Sequence, residues 1–440
     1  MARFVESTSI TVKAVIIAFI ILILLVPLTM LRGLVNERAS MREQAYARVA
    51  EGWGGDIVIG GPMLVVPTER VVLENDKQRV LRTSLYVLPS QLDAQIDLQL
   101  EPEPRHVGIY AVPVYQSVIK LSGHFDAAAI DALPREAGVT YLWHQARIRL
   151  PLSASRSLRE VREARFNSSA LTFVPAGSGP FRGVDSPLDL TAFVETRAAE
   201  FSFQAVVAGS RAISLLPVGS TTSVSMQSTW PHPSFDGAFL PVEHAIANDG
   251  FRARWQVLEL NRAYGQSWFG EEVTEATLLD SSIRIGLYQA VDVYQRAERA
   301  IKYALLFIAL TFLTFFAWEQ LSGLRLHPLQ YFLVGLALSM FYVLLIALSE
   351  HLRFVIAYGI AAIALVTLMG AYISGALASR CRGMVVATAM SVVYGLLYAL
   401  ILSEDYALLM GAVTLFASLA AVMLATRKID WYRVSSSTAT

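Results

Sequence analysis

Cysteine and charge are both scarce in this chain of 440 residues. Its single cysteine, Cys381, excludes a disulfide within one chain, so any extracytoplasmic part must depend on its own hydrophobic core. Charged residues make up 16% of the chain and sum to zero net charge, which gives no reason to expect a nucleic acid or an acidic polymer as partner. With 54% hydrophobic residues, the chain is too apolar for an ordinary soluble protein of this length.

Motifs of the common enzyme classes are also missing from the sequence. It has no Gly-x-Ser-x-Gly elbow, no Gly-x-x-x-x-Gly-Lys phosphate loop and no His-Glu-x-x-His zinc motif. The pair Glu243-His244 has no nucleophile or cofactor motif beside it, so we interpret it as a loop pair rather than an acid and a base. The histidines that precede the C-terminal apolar runs lack ligand spacing to one another; they are His106, His124, His144, His232 and His244. We therefore predict no enzyme, no metal site and no cofactor.

Long apolar runs, in contrast, are abundant. A helix needs roughly 20 apolar residues to cross a bilayer, and five such runs follow one another with short polar breaks: Lys302–Trp318, Leu329–Leu348, Phe354–Leu377, Met384–Leu402 and Tyr406–Ala425. A further run, residues 14–32, lies near the N-terminus, where its length favours a membrane helix over the core of a signal peptide. We predict a polytopic α-helical membrane protein with six transmembrane helices.

The charges in the polar breaks predict the side of the membrane on which each break lies. Short cytoplasmic loops are rich in Lys and Arg, which puts Arg325, Arg380 and Arg382 inside and Glu404-Asp405 outside. Both termini are then cytoplasmic, as residues 1–13 and 426–440. Residues 33–301 are extracytoplasmic, inserted after the first transmembrane helix.

This inserted region has the sequence pattern of a β-rich domain with helical stalks. Residues 36–49 have helical spacing and end at Gly52–Gly55, and residues 290–301 lead as a helix into the second apolar run. Between the stalks, segments that alternate apolar and polar residues predict strands: Asp56–Val66, Gln78–Leu88, Gln95–Leu100, Arg105–His124, Thr140–Leu150, Ser169–Val174, Ala198–Val207, Arg211–Pro217, Ser220–Thr229, Phe251–Leu258 and Ser282–Gln289. Gly, Ser and Pro cluster at residues 176–186, so the pattern fits one domain or two halves divided there.

One proline-rich segment of this domain is a candidate interaction loop. It consists of Trp230, Pro231, His232, Pro233, Ser234 and Phe235. Its two prolines fix the backbone without help from a sheet, and its aromatic residues offer large apolar area at low entropic cost. The alternative is that both aromatic side chains turn inward and close one end of the domain.

A second candidate is a polar cluster at the predicted outer membrane face, formed by Glu350, His351 and Arg353. Glu350 and Arg353 are three residues apart and would pair if the preceding helix continued through them. The cluster then acts as a proton-sensitive gate, because histidine titrates near neutrality, or it is a solvated helix cap. Elsewhere the charges lie at the ends of the apolar runs, so we expect no buried charged side chain within a span.

Six blocks of residues, distributed over nearly the whole chain, form a recognisable series: Gly60–Pro62 with Val65–Pro67, Ser228–Gly237 with Phe239–Pro241, Asp292 and Tyr294 with Arg299 and Lys302–Tyr303, His327–Tyr331, Leu348–His351, and Ile429–Tyr432. In sequence and in order, these blocks resemble the CreD family of inner-membrane, cell-envelope-integrity proteins of Gram-negative bacteria. The resemblance implies a multi-pass protein of the bacterial inner membrane whose large domain is periplasmic. It also implies a role in envelope integrity, colicin tolerance and the response to β-lactams. It brings no catalytic residues.

Two functional hypotheses follow from these observations. The first is a non-enzymatic envelope protein that acts through its periplasmic domain, with the lipid bilayer and envelope proteins as partners. The second is a transporter or lipid-handling protein that uses the C-terminal helix bundle. A periplasmic hydrolase would need a nucleophile or metal cluster that the sequence does not provide.

Overall fold

The computed structural model describes residues 10–74, 77–127, 138–176, 182–287, 293–322, 327–376, 379–403 and 407–426. The chain divides into two compact units. The helical unit consists of Met1–Met41 and Val291–Thr440, and the β unit consists of Arg42–Ala290. Four features of the sequence analysis, namely Arg325, Glu404-Asp405, residues 288–292 and the terminal block Ile429–Tyr432, lie outside the described residues.

Eight α-helices lie within the described residues. In chain order they are α1 (Ile10–Trp53), α2 (Thr191–Thr196), α3 (Glu275–Asp280), α4 (Val293–Ser322), α5 (Pro328–Ser349), α6 (Phe354–Ala376), α7 (Arg380–Leu402) and α8 (Ala407–Thr426).

Four of these helices contain segments long and apolar enough to cross a membrane: Val15–Trp53, Pro328–Ser349, Phe354–Gly375 and Arg380–Leu402. Helices α4 and α8 coincide with two more of the predicted spans but are not among these four. Large apolar side chains such as Phe19, Met30 and Ile363 are exposed on the helical unit, as expected where lipid is the solvent. The structure therefore has an N-terminal apolar helix and a C-terminal set of apolar helices, and the count of six spans stays a prediction.

The start of α5 follows from its local sequence. Pro328 occupies the first turn, where its missing N–H costs nothing. His327 is the N-cap. Its side-chain Nδ1 accepts a hydrogen bond from the backbone N–H of Leu329 at 3.2 Å, and its backbone N–H donates to Oε1 of Gln330 at 2.9 Å.

Every strand within the described residues belongs to the β unit. They are β1 (Ile57–Gly60), β2 (Met63–Glu74), β3 (Lys77–Val87), β4 (Gln91–Leu100), β5 (Arg105–Val107), β6 (Tyr110–Val112), β7 (Tyr115–Phe125), β8 (Val139–Tyr141), β9 (Arg147–Pro151), β10 (Leu158–Phe166), β11 (Ser169–Ala170), β12 (Val174–Pro175), β13 (Gly183–Pro187), β14 (Ala199–Gly209), β15 (Ala212–Leu216), β16 (Thr221–Ser228), β17 (Pro233–Gly237), β18 (Glu243–Ala247), β19 (Gly250–Leu258), β20 (Ser267–Phe269) and β21 (Ile283–Leu287).

Three sheets and a short ribbon are built from these strands. The largest has eight strands in the order β11-β10-β14-β7-β4-β16-β19-β18. A second has the order β12-β13-β9-β2-β3-β20 with β8 paired to β2, a third the order β1-β15-β21-β17, and β5 and β6 form the ribbon. In the eight-stranded sheet, β4 shows why one face is buried: Leu92, Ala94, Ile96 and Leu98 point inward, while Gln and Asp alternate with them on the other face.

One hydrophobic core joins the whole β unit. It includes Val65 and Tyr86 of the second sheet, Ile119 and Trp255 of the eight-stranded sheet and Ile285 of the third. Strand β13 begins within the predicted boundary at residues 176–186 and pairs with β9, which precedes that boundary. The described residues on both sides of the boundary therefore belong to one unit.

The end of α1 is held by arginine side chains of the β unit. Arg156 donates to the carbonyl of Glu51 at 2.6 Å and Arg159 to that of Trp53 at 3.0 Å, which satisfies carbonyls left unpaired at the last turn. Gly54 then has φ of +123°, and a side chain there would meet the carbonyl of Ala208. The predicted helix end at these glycines is confirmed.

Candidate functional site

The candidate interaction loop is partly a strand. Pro233–Gly237 forms β17, which pairs with β21 at the edge of the third sheet, so the expectation that the segment stands without help from a sheet is wrong. Proline is tolerated there because Pro233 is the first residue of an edge strand.

Both aromatic residues of this segment pack against the core. The ring of Phe235 lies 5.7 Å from that of Phe251 and 5.8 Å from that of Trp255, in edge-to-face geometry. Trp230 is half-buried, and its indole N–H donates to the carbonyl of His232 at 2.9 Å. His232 is the exposed member of the segment, with Pro231 and Ser234 half-buried, so the surface that the segment offers is mainly polar.

The polar cluster at residues 350–353 is arranged differently from the expected pairing. Helix α5 ends at Ser349, so Glu350 and Arg353 are not on one continuous helix. Glu350 instead forms an ion pair with Arg38 of α1, with 3.4 Å between the Arg38 Nε and the carboxylate. His351 and Arg353 are exposed. This arrangement connects α1 to the end of α5 within the helical unit.

An ion pair with a buried carboxylate lies within the helical unit, between residues just outside the predicted spans 14–32 and Lys302–Trp318. Glu319 is on α4, because that helix continues to Ser322 past the end of the predicted apolar run. Its side chain is 3% exposed and pairs with Lys13 of α1. The hydroxyl of Tyr331 on α5 donates to the second Glu319 oxygen at 2.8 Å, and the Lys13 ammonium lies 5.8 Å from the centre of the Tyr331 ring. Three helices therefore meet at one charged, hydrogen-bonded cluster.

Another buried ion pair lies in the core of the β unit. The guanidinium of Arg149 is fully buried and donates two hydrogen bonds to Asp185, of 2.7 and 2.8 Å. Burial by itself lowers the pKa of Arg149, but the hydrogen bond and the charge of Asp185 outweigh it and raise that pKa above its usual value. Arg147 approaches the same carboxylate at 3.5 Å. The pair joins β9 to β13 inside the second sheet.

The outer face of the eight-stranded sheet carries a cavity of about 710 Å³. Side chains from seven consecutive strands, β10 to β18 in sheet order, line it. We call this surface the polar groove. Its charged residues are Asp97, Lys120, Arg162, Glu243, Arg252 and Arg254. The ladder registers align Gln204, Lys120, Gln95, Ser225 and Arg254 directly across the sheet, so the polar side chains form a continuous row.

The charges of the polar groove do not balance. Four basic side chains face two carboxylates there. Arg162 and Arg254 have partners, since they lie 2.9 Å from Glu160 and 3.4 Å from Glu243. Within the described part of the chain, Lys120 and Arg252 have no carboxylate within ion-pair distance. The groove is therefore an electropositive, hydrogen-bonding surface.

Glu243 and His244 belong to strand β18 at the edge of the eight-stranded sheet, so the interpretation of this pair as part of a loop is wrong.

The helical unit has an apolar groove between α6 and α7. Its volume is about 460 Å³, and it is lined mainly by Val355, Tyr358, Gly359, Ile363, Thr367, Ser391, Gly395 and Tyr398. A side chain added at Gly359 or Gly395 would meet nothing within 4 Å, which shows that these glycines leave room on the groove surface. Such a groove suits an acyl chain or a neighbouring helix.

Among the described residues, no group of three or more His, Cys, Asp or Glu side chains is placed to hold a metal ion. The five histidines named above lie on separate elements or loops, and Cys381 is exposed at the start of α7.

Sequence reasoning missed both the buried charged cluster and the polar groove. For the groove, the alternation of Gln and Asp in β4, of Ser and Gln in β16 and of Arg in β19 was a usable signal of a polar face. The order in which these strands pair could not be obtained from that alternation. For Glu319, the preceding apolar run gave no sign that the helix continues beyond it.

Comparison with known proteins gives a consistent result over the full length. The family model described as "Inner membrane protein CreD" matches residues 9–432. The chain is 33% identical over 430 residues to the inner membrane protein CreD of Escherichia coli (strain K12), covering 94% of this chain and 92% of that protein. A crystal structure of an M1 zinc metallopeptidase from Deinococcus radiodurans aligns over 39% of this chain and 39% of its own, at 13% identity and a TM-score of 0.21. A similarity that low carries no argument about fold or activity.

Proposed function

This chain belongs to the CreD family of inner membrane proteins, and from that membership we propose that it is a non-enzymatic protein of the cell envelope that acts through its β unit. The observation that carries the proposal is the polar groove, a wide electropositive surface on a single folded unit. A surface of this size fits binding of a partner in the envelope. The biological role that we propose is envelope integrity and stress response, including colicin tolerance and the response to β-lactams.

The proposed topology places the β unit in the periplasm. Six helices cross the inner membrane, both termini are cytoplasmic, and residues 33–301 are periplasmic. Arg380 and Arg382 lie in the polar break after α6, and Glu350 lies in the break before it. Because short cytoplasmic loops are rich in Lys and Arg, the break with the two arginines is the cytoplasmic one, which supports this orientation. Fusions of alkaline phosphatase, which is active only outside the cytoplasm, test it. We expect activity for fusions after Gly265 and after His351, and none for fusions after Arg382. Activity after Arg382 would contradict the orientation.

Site-specific photo-crosslinking in intact cells tests the function. Probes at His232 and Ser234 sample the candidate interaction loop of the β unit, and a probe at exposed Ser225 samples the polar groove. Probes at Thr367 and Ser391 sample the apolar groove of the helical unit. A probe at Ser339, which is buried and hydrogen-bonded to Gly335, is the control that should reach only neighbouring helices. Capture of the same envelope protein by the β unit in repeated experiments supports the proposal.

A second candidate function is lipid handling or transport by the helix bundle. The apolar groove between α6 and α7 favours it, because its glycines leave space that a lipid chain fills. Lipid adducts at Thr367 and Ser391, together with no capture by the β unit, would refute the first function and support this one. Replacing Gly359 and Gly395 with leucine then fills the groove and should abolish the adducts.

A further inference from the structure

We propose that the polar groove of the β unit binds an extended, acidic segment of a protein. This inference rests on the proposed function, in which the β unit is the part that contacts a partner, and it names the chemistry of that partner. Three properties of the groove support it: its length, its charge and the kind of polar side chain on its floor.

The length of the groove fits an extended chain. Its lining passes from Arg162 on β10 to Glu243 on β18, which are separated by six inter-strand steps in the sheet. At roughly 4.8 Å per step, the groove crosses about 29 Å of sheet. An extended polypeptide advances roughly 3.3 Å per residue, so about nine residues fill that length.

The charge of the groove selects an acidic ligand. Lys120 and Arg252 lie on different strands and have no carboxylate within ion-pair distance in the described part of the chain. Both side chains are exposed and therefore accessible to a ligand. Guanidinium groups bind carboxylates through two parallel hydrogen bonds, which makes Arg252 suited to a Glu or Asp side chain.

The floor of the groove selects a polypeptide rather than a glycan. Gln95, Gln204 and Gln227 each offer an amide donor and an amide acceptor, the complement of a backbone peptide group. None of the residues that line the groove is Phe, Tyr or Trp. The ring of His244, which also lines it, packs against Phe235 in edge geometry, so the groove offers no broad aromatic surface on which sugar rings stack. An extended segment can therefore place its backbone on the glutamines and its carboxylates on Lys120 and Arg252.

Fluorescence anisotropy with the full-length protein in detergent micelles tests this inference. The probe is a fluorescein-labelled ten-residue peptide of alternating glutamate and serine, and the comparison peptide has lysine in place of glutamate. We expect the acidic peptide to bind and the basic one not to, with affinity that falls as salt is added. The variant carrying Lys120→Glu and Arg252→Glu should bind the acidic peptide at least tenfold more weakly, because two favourable ion pairs become repulsions.

The matched control is Arg82→Glu. Arg82 is an exposed arginine of the second sheet, outside the groove, and its replacement changes the net charge without changing the site. We expect binding by this variant to equal that of the wild type. Equal binding by the double variant and the wild type would overturn the inference, as would equal binding of the acidic and basic peptides. Binding of an oligogalacturonate in preference to the peptide would overturn the assignment to a polypeptide.

The outcome for this site is separate from the outcome for the proposed function. Photo-crosslinking at His232 and Ser234 reports on β17 and the residue before it, which do not line the groove. Capture of an envelope protein there, combined with no binding of the acidic peptide, would overturn the groove as the site and leave the proposed function intact.

Discussion

The buried ion pair between Arg149 and Asp185 allows a quantitative test of how the β unit is stabilised. Removing one partner of a buried pair costs about 3 to 5 kcal/mol, because the other charge remains without water or a counter-ion. The two single substitutions should differ. Arg149→Met leaves Asp185 with Arg147 at 3.5 Å as a remaining partner, so we expect about 3 kcal/mol. Asp185→Leu leaves two neighbouring cations, so we expect about 5 kcal/mol.

The double substitution separates this reasoning from a simple packing effect. With Arg149→Met and Asp185→Leu together, no uncompensated charge of the pair is buried, so the loss should be well below the sum of the two single losses. Arg82→Met is the control, because its pair with Glu69 is largely exposed and should contribute less than about 1 kcal/mol.

Urea unfolding of the full chain in detergent, followed by tryptophan fluorescence, measures these differences. Five of the seven tryptophans belong to residues 42–290, so the signal comes mainly from the β unit. With a slope near 3 kcal/mol per molar urea, a loss of about 3 kcal/mol moves the midpoint by about 1 M. Additive losses in the double variant, or a greater loss for Arg149→Met than for Asp185→Leu, would refute the electrostatic explanation.

Three further predictions concern other parts of the molecule. Glu319→Gln should lower the thermal unfolding midpoint of the helices by about 5 °C or more, because it removes the buried carboxylate that pairs with Lys13. Far-ultraviolet circular dichroism measures this midpoint. Adding Lys13→Met should recover most of the loss. Phe235→Ala should destabilise the β unit in urea by about 2 kcal/mol through lost aromatic contacts, whereas alanine at exposed His232 should change little; equal effects would contradict the packing. Burial raises the pKa of Tyr115 above its usual value of about 10, so the folded state holds this proton more tightly than the unfolded chain. The stability that Tyr115 contributes should be complete below pH 10 and lost as the pH rises above it. The free energy of unfolding should therefore fall less at alkaline pH for Tyr115→Phe than for the wild type. An equal fall in both proteins would exclude Tyr115 as the cause.

Features specified by nearby residues were predictable from the sequence. The start of α5 depends on His327, Pro328 and Gln330, which are adjacent in the chain. The strand β4 was predicted in part because its apolar residues alternate without interruption. By contrast, β10 escaped prediction, since its sequence is dominated by Arg and Glu and its register shifts twice against β14. Its polar side chains are exposed, so no apolar alternation was needed to form the strand.

Features that depend on distant partners were not predictable. Glu319 is buried because Lys13, some 300 residues earlier in the chain, and Tyr331 are brought to it by other helices. The expected pair of Glu350 and Arg353 failed for a related reason: α5 ends at Ser349, and Arg38 supplies the charge instead. The polar groove depends on the order of seven strands, which hydrophobic alternation leaves undetermined.

The pairing of β4 with β16 at the centre of the eight-stranded sheet determines when that sheet can form during synthesis. Strand β4 lies beside β16 in parallel, with Gln91 opposite Thr221, about 130 residues later in the chain. Contacts so far apart in sequence form slowly, because a long loop must close before they contribute. During synthesis, the β4 edge of the β4–β7 pair must therefore stay uncovered until β16 emerges. An uncovered strand edge readily pairs with other chains, so we expect chaperone dependence and aggregation at that stage of biogenesis rather than after folding is complete.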